Sequence, residues 1–580
     1  MRPPSHPLAR ALTGAALALA FLVAGAGPAA AHAVLLRTDP SPQSTVKTPP
    51  AAVHLVFSEP VEVAFGAVRV FDVDGKRVDK GKITTADGRR EVVVPAGLPG
   101  GTYTVTWRVV SADGHPVHGG FQFYVGAPST ISPVLVKGDS GAGRVVGWGY
   151  GTVRFVWYGA LLAVVGLVAV RRSVWTPAVR AAGLGDSAAA DRFRRRFSRA
   201  LPGAWAVLLV AWLVLLVFQA ASISGLGLLR SARPSVLRDV LRTGFGRSWL
   251  AGLGFTVLVG LPVAGLTRRK GLFGARPETW LSVMAAAAAG LVLSVADIGH
   301  AATESHPRLG VPSVAVHLLA VSVWVGGLGG LVVVGASAWT ALPPGDRGAL
   351  LRQLVPRFSR LALVAVGVLV ATGIVNAVLD LARVSDLWDT TYGRVLSAKI
   401  LLLIVALAFG AWHFRVVPRR LAEPDRALAA GRSFRLSSGA ELVVLAAVVA
   451  FASALVALVP GRSLALLAKG AVNQEQKAGA YTVQLFVDPS APGANEVHVT
   501  FVDANGLGAA EVVAVTATLT GPAGGPGAPV EMRLISPGHF VGDASLAAGQ
   551  YRLAVQAPRV APPAATAFSF KLRAGRGAGG

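Results

Sequence analysis

Eight apolar stretches, each with about the 20 residues needed to cross a bilayer as a helix, dominate the middle of this sequence. They lie at 148–170, 203–223, 248–266, 279–298, 312–336, 360–381, 395–414 and 439–459. Inside a bilayer a helix satisfies all of its own backbone hydrogen bonds. The pattern therefore predicts a multi-domain membrane protein in which residues 148–459 form an eight-helix transmembrane α-bundle.

Arginine and lysine residues set the expected orientation of these stretches. The loops after the first, third, fifth and seventh stretches are rich in arginine, and the loops after the second, fourth and sixth carry fewer basic residues. Because the excess of Lys and Arg marks cytoplasmic loops, the first set is predicted to be cytoplasmic. Both terminal domains then lie outside the cytoplasmic membrane of a bacterium. The net charge of +25 is concentrated in these loops, and no nucleic-acid-binding motif accompanies them.

Short motifs recur between the two halves of the bundle. The sequence Arg-Phe-Ser-Arg at 196–199 recurs at 357–360, and Thr243-Gly-Phe-Gly-Arg is echoed by Thr390-Thr-Tyr-Gly-Arg. Each motif precedes the corresponding stretch of its half. We infer two four-helix units in parallel orientation, because an even number of spans per unit preserves direction. Chance recurrence of short motifs is the alternative.

The N-terminal residues 1–31 have the features of a secretory signal peptide. Basic residues precede an apolar run at 11–23, and small residues end at Ala31, where cleavage is expected. Cleavage there makes His32 the first residue of the mature chain. Residues 32–126 contain short alternating runs broken by Gly and Pro, which predict an all-β sandwich, and residues 127–147 are predicted to be a linker.

Asp113 and His115 are the candidate metal ligands of this head domain. They are two residues apart, so in extended backbone they project from the same face. The amine and imidazole of His32 can chelate the same ion, which gives a mixed nitrogen and oxygen set suited to Cu(II). Ordinary loop chemistry is the alternative for an Asp-x-His pair alone. His118 is an additional candidate ligand, and His54 is expected on the surface.

The head domain resembles the periplasmic copper-binding family CopC. The resemblance is carried by His32-Ala-Val-Leu, by residues 58–62 and by residues 107–117. It implies a small β-sandwich that holds Cu(II) through His32, Asp113 and His115. The methionine-rich Cu(I) site of some members is missing, since the chain has 3 Met, and the absence of Cys excludes thiolate sites. A Cu(II)-binding head is therefore expected.

Ionisable side chains are costly within a bilayer, so those near the outer ends of the apolar stretches are candidates for function. Asp297 and His300 are three residues apart on one helical face, His306 lies in the loop that follows, and His317 is expected just over a turn into the fifth stretch. These side chains are predicted to converge as a membrane transfer site for a cation. Simple solvation at helix ends is the alternative.

The membrane region resembles the inner-membrane copper-resistance family CopD. Residues 316–328, the corner at 299–301 and residues 357–399 carry the resemblance, which covers most of 148–459. It implies copper movement across the cytoplasmic membrane, with Cu(I) a candidate form of the ion in this domain. His413, at the inner end of the seventh stretch, is expected mainly to anchor its helix.

Residues 462–573 are expected to form another all-β, sandwich-like domain outside the membrane. Short runs of alternating or apolar residues are again separated by Gly- and Pro-rich breaks, and residues 574–580 are predicted to be a disordered tail. His498 falls on the polar face of its strand and His539 follows a Pro-Gly turn. Both are expected to be surface residues.

Copper uptake and homeostasis is the function that these features favour, with Cu(II) captured by the head and copper passed inward. The chain has no Walker sequence, and an enzyme is not expected. The expected partners are copper and the bilayer, and a copper chaperone or a reductase is a further candidate. The alternatives are a copper-sequestering resistance protein without transport, a haem or copper redox membrane protein, and a copper oxidative enzyme. Oligomeric state and transport direction stay open.

Overall fold

The structure is a computed structural model that divides into two compact units. One unit contains residues 142–461, and the other joins Ala31–Gly141 to Arg462–Gly580. The described residues are 33, 35–41, 44–57, 59–63, 68–74, 76–79, 83–89, 91–95, 98–111, 116–126, 144–267, 277–299, 306–415, 427–458, 460–462, 472–488, 492–502, 509–536, 538–558 and 564–572. The signal peptide, most of the linker and the C-terminal tail predicted above lie outside them.

The N-terminal part of the second unit is a β-sandwich. Its strands are β1 Leu35–Asp39, β2 Thr45–Val46, β3 Ala52–Phe57, β4 Val61–Glu62, β5 Val68–Phe71, β6 Thr84–Ala86, β7 Glu91–Pro95, β8 Gly101–Ser111 and β9 Pro116–Val125. One sheet has the order β1-β3-β7-β6, and the other has the order β2-β9-β8-β4 with β5 also paired to β8. The all-β head predicted from the sequence is confirmed.

Alternation along β3 shows how this sandwich is built. Val53, Leu55 and Phe57 are at most 1 % exposed and face the core between the sheets. His54, between them, points the other way, and its Nδ1 lies 2.7 Å from Oε1 of Glu91 on β7. The side chain of His54 is 38 % exposed, which agrees with the surface position expected from the alternation.

The C-terminal part of the second unit is another two-sheet β structure. Its strands are β10 Val472–Ala478, β11 Tyr481–Asp488, β12 Gly493–Val502, β13 Thr516–Thr520, β14 Ala528–Val530, β15 Arg533–Ser536, β16 His539–Leu546, β17 Gly549–Ala557 and β18 Ala564–Leu572. The sheets have the orders β10-β11-β12-β16-β15 and β14-β13-β17-β18. Val497, Val499 and Phe501 of β12 are fully buried in the core between them.

The other unit is helical. Its α-helices are α1 Arg144–Val170, α2 Thr176–Ala181, α3 Ala188–Ser224, α4 Leu228–Ser231, α5 Pro234–Leu241, α6 Gly244–Thr267, α7 Pro277–Ile298, α8 Pro307–Val321, α9 Gly327–Gly330, α10 Ala336–Trp339, α11 Pro344–Asp380, α12 Asp386–Asp389, α13 Thr391–Arg415 and α14 Ala427–Leu455. Turns of π-helix at Arg171–Trp175, Ser322–Gly326 and Leu331–Gly335 join α1 to α2 and connect α8, α9 and α10.

The described residues include eight helices long and apolar enough to cross a membrane, which confirms the predicted number. Spans 1 to 8 are Val146–Ala181, Ala188–Ser224, Gly244–Thr267, Thr279–Ile298, Pro307–Trp339, Gly345–Asp380, Thr391–Arg415 and Ser433–Leu455. Several spans are longer than the apolar stretches, because the helices continue into polar sequence at their ends. Span 5, for example, begins at Pro307 and not at residue 312.

The recurring threonine motifs adopt the same local structure in both halves. Thr243 Oγ1 accepts the backbone N–H of Gly246 at 3.2 Å, and Thr390 Oγ1 accepts that of Gly393 at 2.9 Å. Each glycine packs on the short helix before its span, α5 or α12, where an added Cβ would lie 2.4 Å and 1.8 Å from backbone atoms. This correspondence supports the inference of two related four-helix units.

The first spans of the two halves cross at glycines. A Cβ on Gly166 of span 1 would lie 2.1 Å from the carbonyl carbon of Gly326 in span 5. A Cβ on Gly326 would in turn lie 1.8 Å from the carbonyl oxygen of Leu162. The two helices therefore meet backbone to backbone, as small residues permit in membrane bundles.

Candidate metal sites

The three predicted Cu(II) ligands, His32, Asp113 and His115, lie outside the described residues, and the structure describes the elements that flank them. Ala33, which follows His32, is 2 % exposed and belongs to the core of the head. Strands β8 and β9 pair as far as their adjoining ends. In the sequence Asp113 and His115 fall between β8 and β9, and this ligand set stays a prediction.

A packed indole supports the hairpin that carries this connection. A Cβ on Gly119 of β9 would lie 2.6 Å from the ring of Trp107 on β8, so the indole lies directly on the glycine. The same ring meets Phe57 edge to face, with centroids 5.4 Å apart. His118 on β9 is paired in register with Arg108, and its side chain lies outside the described part of the structure.

His317 is held inside the membrane unit by a hydrogen bond to span 6. Its Nδ1 lies 2.9 Å from Oγ1 of Thr372. The Thr372 hydroxyl also lies 2.7 Å from the carbonyl oxygen of Val368. When the hydroxyl donates to that carbonyl, it accepts from Nδ1–H of His317, and the neutral ring then has its lone pair on Nε2. An imidazole nitrogen with a lone pair can bind a metal ion.

A stripe of polar side chains leads from the end of span 6 to His317. Thr372, Asn376 and Asp380 follow one another at intervals of four residues, which places them on one face of the helix. Asp380 Oδ2 accepts a hydrogen bond from Tyr392 Oη at 2.5 Å. Asn376 Oδ1 is buried and makes no hydrogen bond to a described residue. We call Thr372, Asn376 and Asp380 the polar stripe.

Lys399 of span 7 completes the polar surroundings of His317. It lies close enough to both His317 and Asp380 for their charges to interact. The sequence did not indicate that Thr372 and Lys399 would face His317. Helical spacing could have linked Thr372 to Asp380, whereas contacts between different spans depend on packing.

The other members of the predicted transfer site lie apart from His317. Asp297, at the end of span 4, is exposed and accepts a hydrogen bond from Ser248 at 2.6 Å. His306 is exposed immediately before span 5, and His300 lies outside the described residues. From His306 to His317 the helix rises about 16 Å. Among the described residues, no group of three or more His, Asp or Glu is placed to hold a metal ion.

The depth of His317 differs from the expectation. The sequence places it just over a turn into the fifth stretch, but span 5 begins at Pro307. His317 is therefore about three turns from the helix start. The reason is that the segment 307–311, which contains Arg308, is helical although it is less apolar than the stretch itself.

The C-terminal histidines are buried, contrary to the surface positions expected from the sequence. His498 and His539 are 3 % and 2 % exposed. His498 does face away from the sandwich core, as alternation predicts, but that face is covered. Tyr124 of β9 does not belong to the core of the N-terminal sandwich, yet it is only 1 % exposed. Its Oη lies 3.2 Å from Nδ1 of His539. The two sandwiches therefore meet at these side chains.

These side chains form a directional chain of polar contacts. His539 Nε2 is 3.3 Å from His498 Nδ1, and His498 Nε2 is 3.5 Å from Oε2 of Glu496 without forming a hydrogen bond. An N–H at Nε2 of His498 interacts favourably with the Glu496 carboxylate, whereas a lone pair at Nε2 would be repelled by it. Tyr124 then donates to His539, and His539 donates to His498. Burial lowers the pKa of His498 to about 4, and burial together with His498 lowers the pKa of His539 to about 3.

Three family models match this chain. The CopC domain matches residues 35–126, the Copper resistance protein D-like N-terminal domain matches residues 145–309, and Copper resistance protein D matches residues 352–455. The first match covers the N-terminal sandwich, and the other two cover spans 1 to 4 and most of spans 6 to 8. The C-terminal sandwich lies outside these three matches.

Individual proteins show similar sequences. The copper transport protein CutJ of Bacillus subtilis (strain 168) is 28 % identical over 513 residues, which are 86 % of this chain and 87 % of that protein. Protein YobA of Escherichia coli (strain K12) is 35 % identical over 99 residues, 16 % of this chain and 79 % of that protein. The crystal structure of CopC from Methylosinus trichosporium OB3b is 38 % identical, covers 17 % of this chain and 95 % of its own, and has a TM-score of 0.15.

Proposed function

Because the chain belongs to the copper-resistance family, with a CopC domain and a CopD domain in one chain, we propose that it takes up copper from outside the cell and moves it across the cytoplasmic membrane. The observation that carries this proposal is the polar stripe, which leads to the imidazole of His317 inside the membrane unit. A stripe of oxygen ligands that leads to an imidazole inside an apolar bundle is a pathway for a cation.

In this proposal the head captures Cu(II). His32, through its amine and imidazole, Asp113 and His115 supply nitrogen and oxygen donors, and His118 is a further candidate. Such a mixed set suits the tetragonal geometry of Cu(II). The match of the CopC domain to residues 35–126 supports this role, because it covers the two strands that flank Asp113 and His115.

The membrane unit then receives copper at its outer side. The exposed side chains of Asp297 and His306, together with His300, form the receiving end, and the polar stripe leads inward from Asp380. Asp380 offers a carboxylate, Asn376 an amide oxygen and His317 an imidazole nitrogen. Each is a donor to a metal cation, and successive weak sites allow an ion to pass without being trapped.

The orientation of the protein follows from its basic residues. The ends of spans 1, 3, 5 and 7 adjoin the arginine-rich segments, so these ends are proposed to be cytoplasmic. The polar stripe ends at the opposite side, since Asp380 is the last residue of span 6. The N-terminal head and the C-terminal sandwich are then both extracytoplasmic, on the side where the stripe begins.

Cellular copper content tests the proposal. Cells that carry the intact chain, a His317→Ala chain or no copy are grown under copper limitation, and copper is measured by elemental analysis. We expect copper to fall to the same low level in the deletion and in the His317→Ala strain. A His54→Ala chain is the matched control, since His54 lies on the head surface beside Glu91.

Other outcomes identify other functions. Copper sensitivity without a change in uptake would indicate sequestration by the head, with the membrane unit as an anchor. A rise in copper on deletion would indicate efflux. Normal uptake in the His317→Ala strain, with low uptake in the deletion, would keep transport but remove His317 from the route.

A further inference from the structure

A second buried polar pair lies in the membrane unit, near the other end of the bundle from Asp380. His413 of span 7 and Glu441 of span 8 are 6 % and 2 % exposed, and His413 Nδ1 is 3.2 Å from Glu441 Oε2. His413 is two residues before the end of span 7, at the side proposed to be cytoplasmic. Two ionisable groups buried together in a membrane bundle need a reason, because their burial is costly.

A neighbouring serine can accommodate the pair with or without an additional proton. His413 Nε2 is 2.7 Å from Oγ of Ser437, and that hydroxyl also lies 2.9 Å from the carbonyl oxygen of Ser433 and 3.0 Å from that of Phe434. The hydroxyl has a single hydrogen, so Ser437 either donates it to Nε2 or donates it to a carbonyl and accepts from Nε2–H. In the first arrangement Nδ1–H of a neutral ring donates to the Glu441 carboxylate. In the second arrangement the pair holds one proton more, as imidazolium with carboxylate or as imidazole with carboxylic acid.

The pair lines a cavity that is partly open to the outside of the helical unit. The cavity of about 290 Å³ is lined by His413, Glu441, Ser359, Trp324 and Arg415, among others. This volume is large enough for several water molecules. Water in the cavity could deliver a proton to the pair or remove one, whereas a pair sealed in apolar packing could not exchange it.

The charged groups around the pair are few in the described structure. Arg415, on the same helix as His413, lines the same cavity. From span 8, Arg435 lies over the ring of Trp339, with its guanidinium carbon 5.6 Å from the centroid. From span 6, Arg357 donates to Gln353. Trp412 and Phe434 contact the ring of His413 edge to face and exclude water from those sides.

Spans 6 and 7 connect this pair to the proposed copper route. Span 6 carries the polar stripe and also contributes Ser359 to the cavity, and span 7 carries both Lys399 and His413. A shift of either span would therefore change both polar sites together.

We propose that His413 and Glu441 form a proton-binding site that is filled and emptied once in each transport cycle, which couples copper movement to proton movement. This inference rests on the proposed function. A proton from water on one side of the membrane joins the pair and later leaves to water on the other side, so no electron transfer and no other reactant is involved. Through this coupling, a proton gradient across the membrane would drive copper movement.

Coupling is tested with the purified full chain in liposomes that contain a pH-sensitive dye and a copper-sensitive dye, with the membrane potential clamped. For the wild type we expect copper movement with a proportional change of lumenal pH, and acceleration by an imposed pH gradient. In Glu441→Gln, whose amide can still donate to His413, the pH change and the effect of the gradient should be lost. Asp191→Asn, an exposed acid paired with Arg194 on span 2, should behave as the wild type.

The outcomes separate the two proposals. A wild type that moves no copper refutes transport itself. Copper movement without a pH change in the wild type, or equal coupling in Glu441→Gln, refutes the proton site.

Infrared difference spectra over a pH titration test the pair without transport. The wild type should show one more titrating carboxyl group than Glu441→Gln, and His413→Gln should shift the titration of that group. Identical spectra for wild type and Glu441→Gln overturn the inference.

Discussion

Two membrane histidines each contact a hydroxyl group that also reaches a carbonyl of its own helix. Thr372 makes this contact with His317, and Ser437 makes it with His413. A hydroxyl group has one hydrogen, so a hydroxyl that donates to its helix carbonyl accepts from the ring, and this choice sets which ring nitrogen carries the proton. The other nitrogen of His413 faces the carboxylate of Glu441. The other nitrogen of His317 is the one that we propose for the cation.

Replacing Thr372 by valine should lower copper uptake while the protein still folds. The change removes the acceptor of the His317 Nδ1 proton, and an unpaired buried donor costs about 1–3 kcal/mol. The ring then loses its fixed orientation towards the polar stripe. The measurement is cellular copper content in strains that carry Thr372→Val or Thr372→Ser. The serine variant keeps the hydroxyl group and should take up copper as the wild type does. Equal loss in the serine variant would show that the methyl group, and not the hydroxyl, matters.

The contact between the two sandwiches should weaken in acid. His498 and His539 have folded pKa values of about 4 and 3, below the value near 6.5 expected when unfolded, so the unfolded state binds more protons between these values. Their contribution to stability is complete above about pH 6.5 and is lost as the pH falls towards about 4 for His498 and about 3 for His539, by up to about 1.4 kcal/mol per pH unit for each ring. The loss of stability on acidification is measured by hydrogen exchange of the backbone amides in β12 and β16, corrected for the intrinsic pH dependence of exchange.

A His539→Phe variant is the control for this effect. It removes one titrating ring and the acceptor of Tyr124, so the acid-induced loss of protection should be smaller. If protection in β12 and β16 falls equally in both proteins, the two histidines are not the cause.

At the scale of elements, the recurring motif Thr-x-x-Gly-Arg starts span 3 and span 7 in the same way. Its threonine caps the helix, and its glycine brings the helix start against the preceding short helix. The sequence could predict the recurrence, because it depends on residues close together in the chain. It could not predict the packing of Gly393 on α12, because that contact depends on the turn between the two helices.

Gly393→Ala should destabilise the membrane unit, and Gly410→Ala should not. A Cβ at position 393 would lie 1.8 Å from the backbone oxygen of Asp386, whereas at position 410 no atom lies within 4 Å. Backbone atoms cannot move aside as a flexible side chain can, so we expect a loss of about 1–3 kcal/mol or more at position 393. Thermal unfolding in detergent measures the difference. A smaller effect at 393 than at 410 would contradict the packing described here.

At the scale of the whole molecule, the sequence could predict the three parts and the eight spans. Hydropathy summed over about 20 residues is a strong pattern, and alternation with Gly and Pro breaks identifies β-sandwiches well. The sequence could not predict which side chains from different helices or strands contact each other. Alternation told which face of β12 carries His498, but not that Tyr124 covers that face. Likewise Glu441 escaped notice because its partner, His413, is on another helix.

Copper bound by the purified full chain, after signal removal, should be Cu(II) and located in the head. The chain has 0 Cys and 3 Met, so soft ligands for Cu(I) are scarce. Electron paramagnetic resonance should show one Cu(II) signal with nitrogen couplings, absent in His115→Ala and unchanged in His54→Ala. Binding should weaken on acidification, because protons compete for the histidine nitrogens and the amine. A signal that survives in His115→Ala would assign the copper to other ligands.

The crossing of spans 1 and 5 has a consequence for genetics. Gly166 and Gly326 face each other with backbone on both sides, and a Cβ at either would fall within 2.1 Å of the other helix. A harmful substitution in a protein core is often rescued when its neighbour becomes smaller. Here each neighbour is already the smallest residue, and the obstacle is the main chain itself. Revertant screens starting from Gly166→Ala or Gly326→Ala should therefore return glycine at the same codon, and suppressors at the facing position should not appear.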